Sequence, residues 1–122
     1  MVTVCGGSRP REVVVFENYA PAITEAAEWS GERLVIGGST LGRHNVTTPA
    51  LDRMVADARL PRLSTSRLRS TWLVRHLELA TPLSVLLPAA GLKSSRTLDD
   101  LLGYATPVPS EHAAQLLRGA AT

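Results

Sequence analysis

The run Ser66-Arg67-Leu68-Arg69-Ser70-Thr71-Trp72 decides the fold, read with the later Thr81-Pro82-Leu83, Ala89-Ala90-Gly91-Leu92 and Asp100-Leu101-Leu102-Gly103-Tyr104. Polar and apolar residues recur in it at helical intervals, and its breaks carry helix-ending signals. An arginine-rich helix is expected from about Thr65 to Leu79, with Leu68, Trp72 and Leu79 on one stripe and Arg69, Leu73 and His76 on the next. On that reading Trp72 anchors the helix in the core while Arg69 reaches a groove. Thr81 and Pro82 start the next helix and Gly91 ends it. A short helix from about Ser95 to Leu102 stops at Gly103, and Ser110 caps a last helix carrying Leu116 and Leu117.

Upstream, Val2 to Val4 and Glu12 to Phe16 read as the strands of a hairpin, joined by a turn rich in Gly6, Gly7, Ser8 and Pro10. A helix should follow from about Pro21 to Trp29, with Ile23, Ala26 and Ala27 on one face and Gly31 as its stop. Leu34-Val35-Ile36 is a candidate third strand, ended by Gly37-Gly38 and followed by a polar loop from Ser39 to Asn45. Thr48 before Pro49 then opens a helix whose apolar side is Leu51, Met54, Val55 and Ala58, with Pro61 closing the connection. The expected fold is mainly α with a small antiparallel β-sheet, an α+β arrangement in a single domain over residues 1–122.

The order of these pieces resembles the C-terminal part of the catalytic domain of the tyrosine recombinase (phage integrase) family. That family has a His-x-x-Arg box followed by Thr and an aromatic residue, then a helix, a Leu-Gly-His turn, and a nucleophilic tyrosine about ten residues later. Arg69 matches the box arginine, Thr71-Trp72 the Thr-aromatic pair, and Gly91 the turn glycine. The Val2–Val4 and Arg11–Val15 segments look like the family's small hairpin, whose turn carries a catalytic lysine. The resemblance implies Arg69 and Tyr104 as candidate catalytic residues, and a tyrosine-recombinase-like fold that works on duplex DNA.

The chain departs from the pattern at five places. Ser66 stands at the box histidine, Leu92 at the turn histidine, no lysine lies in the hairpin, no earlier arginine precedes it, and Tyr104 follows Gly91 by thirteen residues. Tyrosine attack on a phosphodiester builds negative charge that such donors stabilise, and losing one typically slows the reaction by about 100-fold to 1000-fold. The expectation is therefore a DNA-binding domain that no longer cleaves. Two alternatives remain open: an active fragment that takes its missing arginine and lysine from upstream sequence or a partner subunit, and a helical protein-interaction module without DNA binding. In the family the C-terminal helix often packs on a neighbouring protomer, so residues Ser110 to Gly119 imply a homo-oligomer contact.

Charge is mildly basic, +2 with twelve arginines among thirteen Lys and Arg residues, and arginine suits bidentate phosphate contacts. Arg9, Arg11, Arg43, His44, Arg67 and Arg69 are the candidate DNA-phosphate contacts. A GC-rich coding sequence would give the same arginine and alanine enrichment, and Arg69 alone could be a surface residue pairing with Glu78. Tyr104, before Pro107 and Pro109, could equally be a packing residue, and His76 a partly buried one. No apolar run reaches the ~20 residues of a membrane helix, so a cytoplasmic protein without membrane contact is expected. Cys5 is the only cysteine, and His44, His76 and His112 lack zinc-ligand spacing, so neither metal nor cofactor is expected.

Overall fold

A computed structural model of the chain describes residues 1–4, 10–32, 47–54 and 57–119. These residues are mainly helical. Strand β1 (Val2–Val4) pairs antiparallel with β2 (Arg11–Val13) in the register Val2 to Val13, Thr3 to Glu12 and Val4 to Arg11. The expected second strand ran to Phe16, but Val2 already faces Val13, so β1 has no length left to pair with Val14 to Phe16. Instead the Phe16 ring stacks on His76, with centroids 4.7 Å apart and planes 20° from parallel. A 3-10 turn over Glu17–Tyr19 then leads into α1 (Ala20–Ser30). Pro21 sits in the first turn of α1, where its missing N–H costs nothing. Gly31 ends the helix at φ 57°.

The expected third strand Leu34-Val35-Ile36, its Gly37-Gly38 stop and the Ser39–Asn45 loop lie outside the described residues. Helix α2 (Thr47–Asp52) begins one residue before the expected Thr48 cap and buries Leu51, but it does not run on to Ala58. Val55, expected on its apolar side, lies outside the described residues. The Asp57 carboxylate accepts the Arg59 backbone N–H at 2.9 Å, a turn geometry that competes with helix. Asp52 is held by the Arg62 guanidinium. Met54, expected on the apolar side, is 52% exposed.

Helix α3 (Thr65–Glu78) is capped by Ser64, whose hydroxyl accepts the Arg67 N–H at 3.3 Å. It is followed by α4 (Leu83–Ala90), α5 (Arg96–Leu101) with a 3-10 turn over Leu102–Tyr104, and α6 (Ser110–Leu117). The expected Ser110 cap is absent, since Ser110 is the first residue of α6, and Thr81, before α4, shares a hydrogen bond with His76 Nδ1. Gly103 falls inside the 3-10 turn without a left-handed φ, so it does not act as the expected stop.

The core is Leu73, Leu86, Ala90 and Leu98, bordered by Trp72, Leu77, Leu87, Leu92 and Leu101. Burying a leucine of this kind contributes about 1.5–3 kcal/mol. The inward side of α3 thus runs through buried Leu73 and half-buried His76, reversing the expectation, because α4 and α5 close over Leu73 while Leu68 and Leu79 stay 48% and 51% exposed. Trp72 borders the core without being enclosed by it. The reversal carries Arg69, one turn before Leu73, toward the end of α4.

Helices α3 and α4 end in the same way. After α3 the Ala80 and Thr81 N–H groups bond back to the Leu77 and His76 carbonyls, each at 3.0 Å, with Ala80 left-handed at φ 53°. After α4 the Gly91 and Leu92 N–H groups bond to Pro88 and Leu87 at 3.0 and 2.8 Å, with Gly91 at φ 67°. A left-handed residue with a Cβ costs roughly 1–2 kcal/mol, which Gly avoids. A Cβ on Gly91 would also meet the Arg11 guanidinium at 3.0 Å. Ala80→Gly is therefore expected to stabilise the domain by about 1 kcal/mol and Gly91→Ala to destabilise it by about 1–2 kcal/mol or more. Urea melts of the two variants check this, and equal effects of one sign would contradict it.

Candidate functional site

Strand β2, the first half of α3 and the end of α4 meet around an open cavity of about 240 Å³ lined by Arg11, Val13, Arg69, Trp72, Ala89 and Ala90. The last carbonyls of α4 draw the two arginines together. Leu87 and Pro88 already accept the backbone N–H groups of the turn, which leaves Ala89 and Ala90. Arg11 Nε donates to the Ala89 carbonyl at 3.1 Å, and Arg69 Nη2 to the Ala90 carbonyl at 2.6 Å. Both bonds are charge-assisted, and both cations sit at the negative end of the helix.

Arg69 makes no ion pair among the described residues, so the alternative pairing with Glu78 is not formed. Glu78 instead accepts the Thr106 N–H at 3.0 Å and hydroxyl at 2.8 Å, with Arg75 at 3.4 Å. The Thr106 backbone and hydroxyl donors, then Arg75, hold its carboxyl below the usual range. This clamp ties the segment leading to α6 onto the end of α3.

Among the expected site residues that are described, the structure joins Arg11 and Arg69. Arg67 is exposed on α3 and does not line the cavity. Tyr104 lies in the 3-10 turn after α5, 78% exposed, and is likewise not among the lining residues. Arg9, Arg43 and His44 lie outside the described residues, as does Cys5. Among the described residues no group of His, Cys, Asp and Glu converges as metal ligands do, and no helix is long and apolar enough to cross a membrane.

No family model matches the chain, and no curated protein or solved structure matches it.

Sequence reasoning missed the apolar walls of the cavity, Val13, Ala89 and Ala90, and the role of Arg11 as a helix cap. Only Gly91 advertised the turn; nothing local to Arg11 marks a carbonyl 78 residues away as its partner.

Beneath the cavity, His76 is held on three sides. Its ring stacks on Phe16, meets Trp72 edge-on at 4.5 Å, and its Nδ1 bonds Thr81 Oγ1 at 2.9 Å, while Nε2 is buried with no partner. Burial pushes its pKa below the ordinary 6.5. The unfolded chain then binds a proton more readily than the fold, so this contribution is complete above pH 6.5 and is lost as pH falls toward the lowered value. Denaturant melts should show stability dropping between about pH 7.5 and 5.5 in wild type and a flatter profile in His76→Gln. Parallel profiles would show that His76 is not the group responsible.

Proposed function

We propose that this domain binds duplex DNA and is a catalytically inactive relative of the tyrosine recombinases. The observation that carries the reading is the placement of Arg69 against the Ala90-Gly91 turn, beside Arg11, at the mouth of an open cavity. The resemblance pairs the box arginine with that turn, and no carboxylate among the described residues neutralises Arg69. An arginine held by one Nη2 bond keeps the rest of its planar fork for a phosphate. Arg67, exposed on α3, extends the positive surface.

Inactivity fits the position of Tyr104. Tyr104 follows Gly91 by thirteen residues, later than the family spacing, and lies in a 3-10 turn that packs on α3. The reading as an active fragment would need Tyr104 beside the arginines, whereas it is not among the residues that line their cavity.

One observation favours a second role as an interaction module. Helix α6 buries none of its residues, and Leu117 is 90% exposed, as suits an arm that packs on another protomer.

Fluorescence anisotropy with duplex DNA across a salt series tests the main reading. Binding should weaken steeply with salt, and Arg67→Ala and Arg69→Ala should each weaken it and reduce the log–log slope by about 1. Because Arg69 also caps α4, its variant needs a melting control, whereas Arg67→Ala should melt like wild type. Tyr104→Phe should bind normally, and denaturing gels should show no covalent adduct with either protein. Absence of binding at about 50 mM salt would reject the proposal.

A further inference from the structure

Charge is unevenly placed along this chain. Residues 12–32 carry five glutamates and no lysine or arginine. Helix α1 takes most of that segment, buries no residue, and among the described residues packs chiefly on the 3-10 turn before it. Ala26 and Ser30 are its half-buried side, so Glu28 lies opposite, while Glu25 and Trp29, one turn apart, share an exposed flank, with Glu32 just beyond the helix. Trp29 is 81% exposed, an unusual place for an indole unless something covers it.

Helix α3 offers the complementary surface. Its outward face carries Arg67, Thr71 and Arg75 at successive turns, flanked by Leu68 and the following Leu79, which are 48% and 51% exposed. Arg67 makes no ion pair among the described residues, and Arg75 makes only a 3.4 Å contact to Glu78. From Leu68 to Leu79 this face runs about 16 Å, the length of α1. The acidic helix with an exposed indole and the basic helix with exposed leucines therefore match in length, charge sign and apolar content.

We infer that the outward face of α1 docks on the arginine face of α3 in a second copy of the chain. Glu25 and Glu28 meet Arg67 and Arg75, and Trp29 lies on the exposed leucines with an arginine against its ring. Around a twofold axis the contact occurs twice, each α1 on the other copy's α3, so the assembly closes as a dimer. The inference does not rest on the DNA reading, since neither helix face includes Arg11 or Arg69.

Sedimentation velocity on the full chain without nucleic acid tests it. Wild type should dimerise with Kd of about 10–100 µM at low salt and dissociate as salt rises. Glu25→Arg/Glu28→Arg and Arg67→Glu/Arg75→Glu should each weaken the dimer at least about tenfold; the first should melt like wild type, and Arg67→Glu alone, which leaves the Arg75–Glu78 pair intact, keeps the second free of a folding effect. Mixing the two variants should restore a dimer, because each altered helix then meets its opposite charge on the other chain. Trp29→Ala should weaken association without changing its salt dependence. A monomer at every concentration at low salt would overturn the inference, as would a mixture that stays monomeric or a dimer that ignores both charge reversals.

Discussion

A helix that ends inside a protein leaves its last four carbonyls without helical partners, and each must find a donor or remain costly. In α4 all four are met, and the remainder of the described structure is organised by how. Leu87 and Pro88 accept the Leu92 and Gly91 N–H groups, a turn that requires the left-handed Gly91. Ala89 and Ala90 accept Arg11 and Arg69. The first pair of bonds is local and brings Leu92 back beside Leu87 at the edge of the core. The second pair ties a strand near the N-terminus and the first half of α3 to the same point. Without Arg11, the hairpin would rest on the helices through Val13 and its neighbours alone. Gly91 serves both halves, since its missing Cβ leaves the 3.0 Å approach that the Arg11 guanidinium occupies.

Such a cap constrains the chemistry available at the cavity. A guanidinium has five N–H donors in one plane, so bonding a carbonyl orients the fork without exhausting it. The α4 carbonyls, at the negative end of a helix, offset part of the positive charge, which makes the seat weaker than two unencumbered arginines would be. An anion there gains from pre-orientation more than from raw potential. Trp72 and the two alanines on the wall add apolar surface, which suits the sugar edge of a backbone better than a fully hydrated ion.

Helices α1 and α4 were legible in the sequence because each carries local signals at both ends, Pro21 and Gly31, Pro82 and Gly91, and α3 through its helical periodicity. The errors arose where partners distant in sequence decide. Both stripes of α3 contain leucines and an aromatic ring or a histidine, so periodicity could not tell which one α4 and α5 would cover. Val13-Val14-Val15-Phe16 has every mark of a strand, but a strand is only as long as its partner, and β1 has three residues. Asp57, inside the stretch expected as the long form of α2, satisfies the Arg59 backbone N–H two residues on, a turn pairing rather than a helical one. Arg11 and Arg69 were legible as candidates for a shared site from the resemblance alone. That their nearest acceptors would be α4 carbonyls depends on how the helices pack, which neither composition nor spacing records.

The arginine face of α3 has two potential ligands of the same sign, and magnitude separates them. Duplex DNA presents about one charge per 1.7 Å of axis with counterions to release. Helix α1 presents Glu25 and Glu28, with Glu32 beyond its end, over roughly 10 Å and adds an indole. Salt weakens both contacts, but the DNA contact falls faster because more ions are released, whereas burial of Trp29 is indifferent to salt. Low ionic strength with DNA present therefore favours the polyanion, and its absence favours the pairing of chains. If both contacts use Arg67, self-association and nucleic-acid binding compete, and each lowers the apparent affinity of the other by a factor set by the competitor's concentration relative to its own Kd.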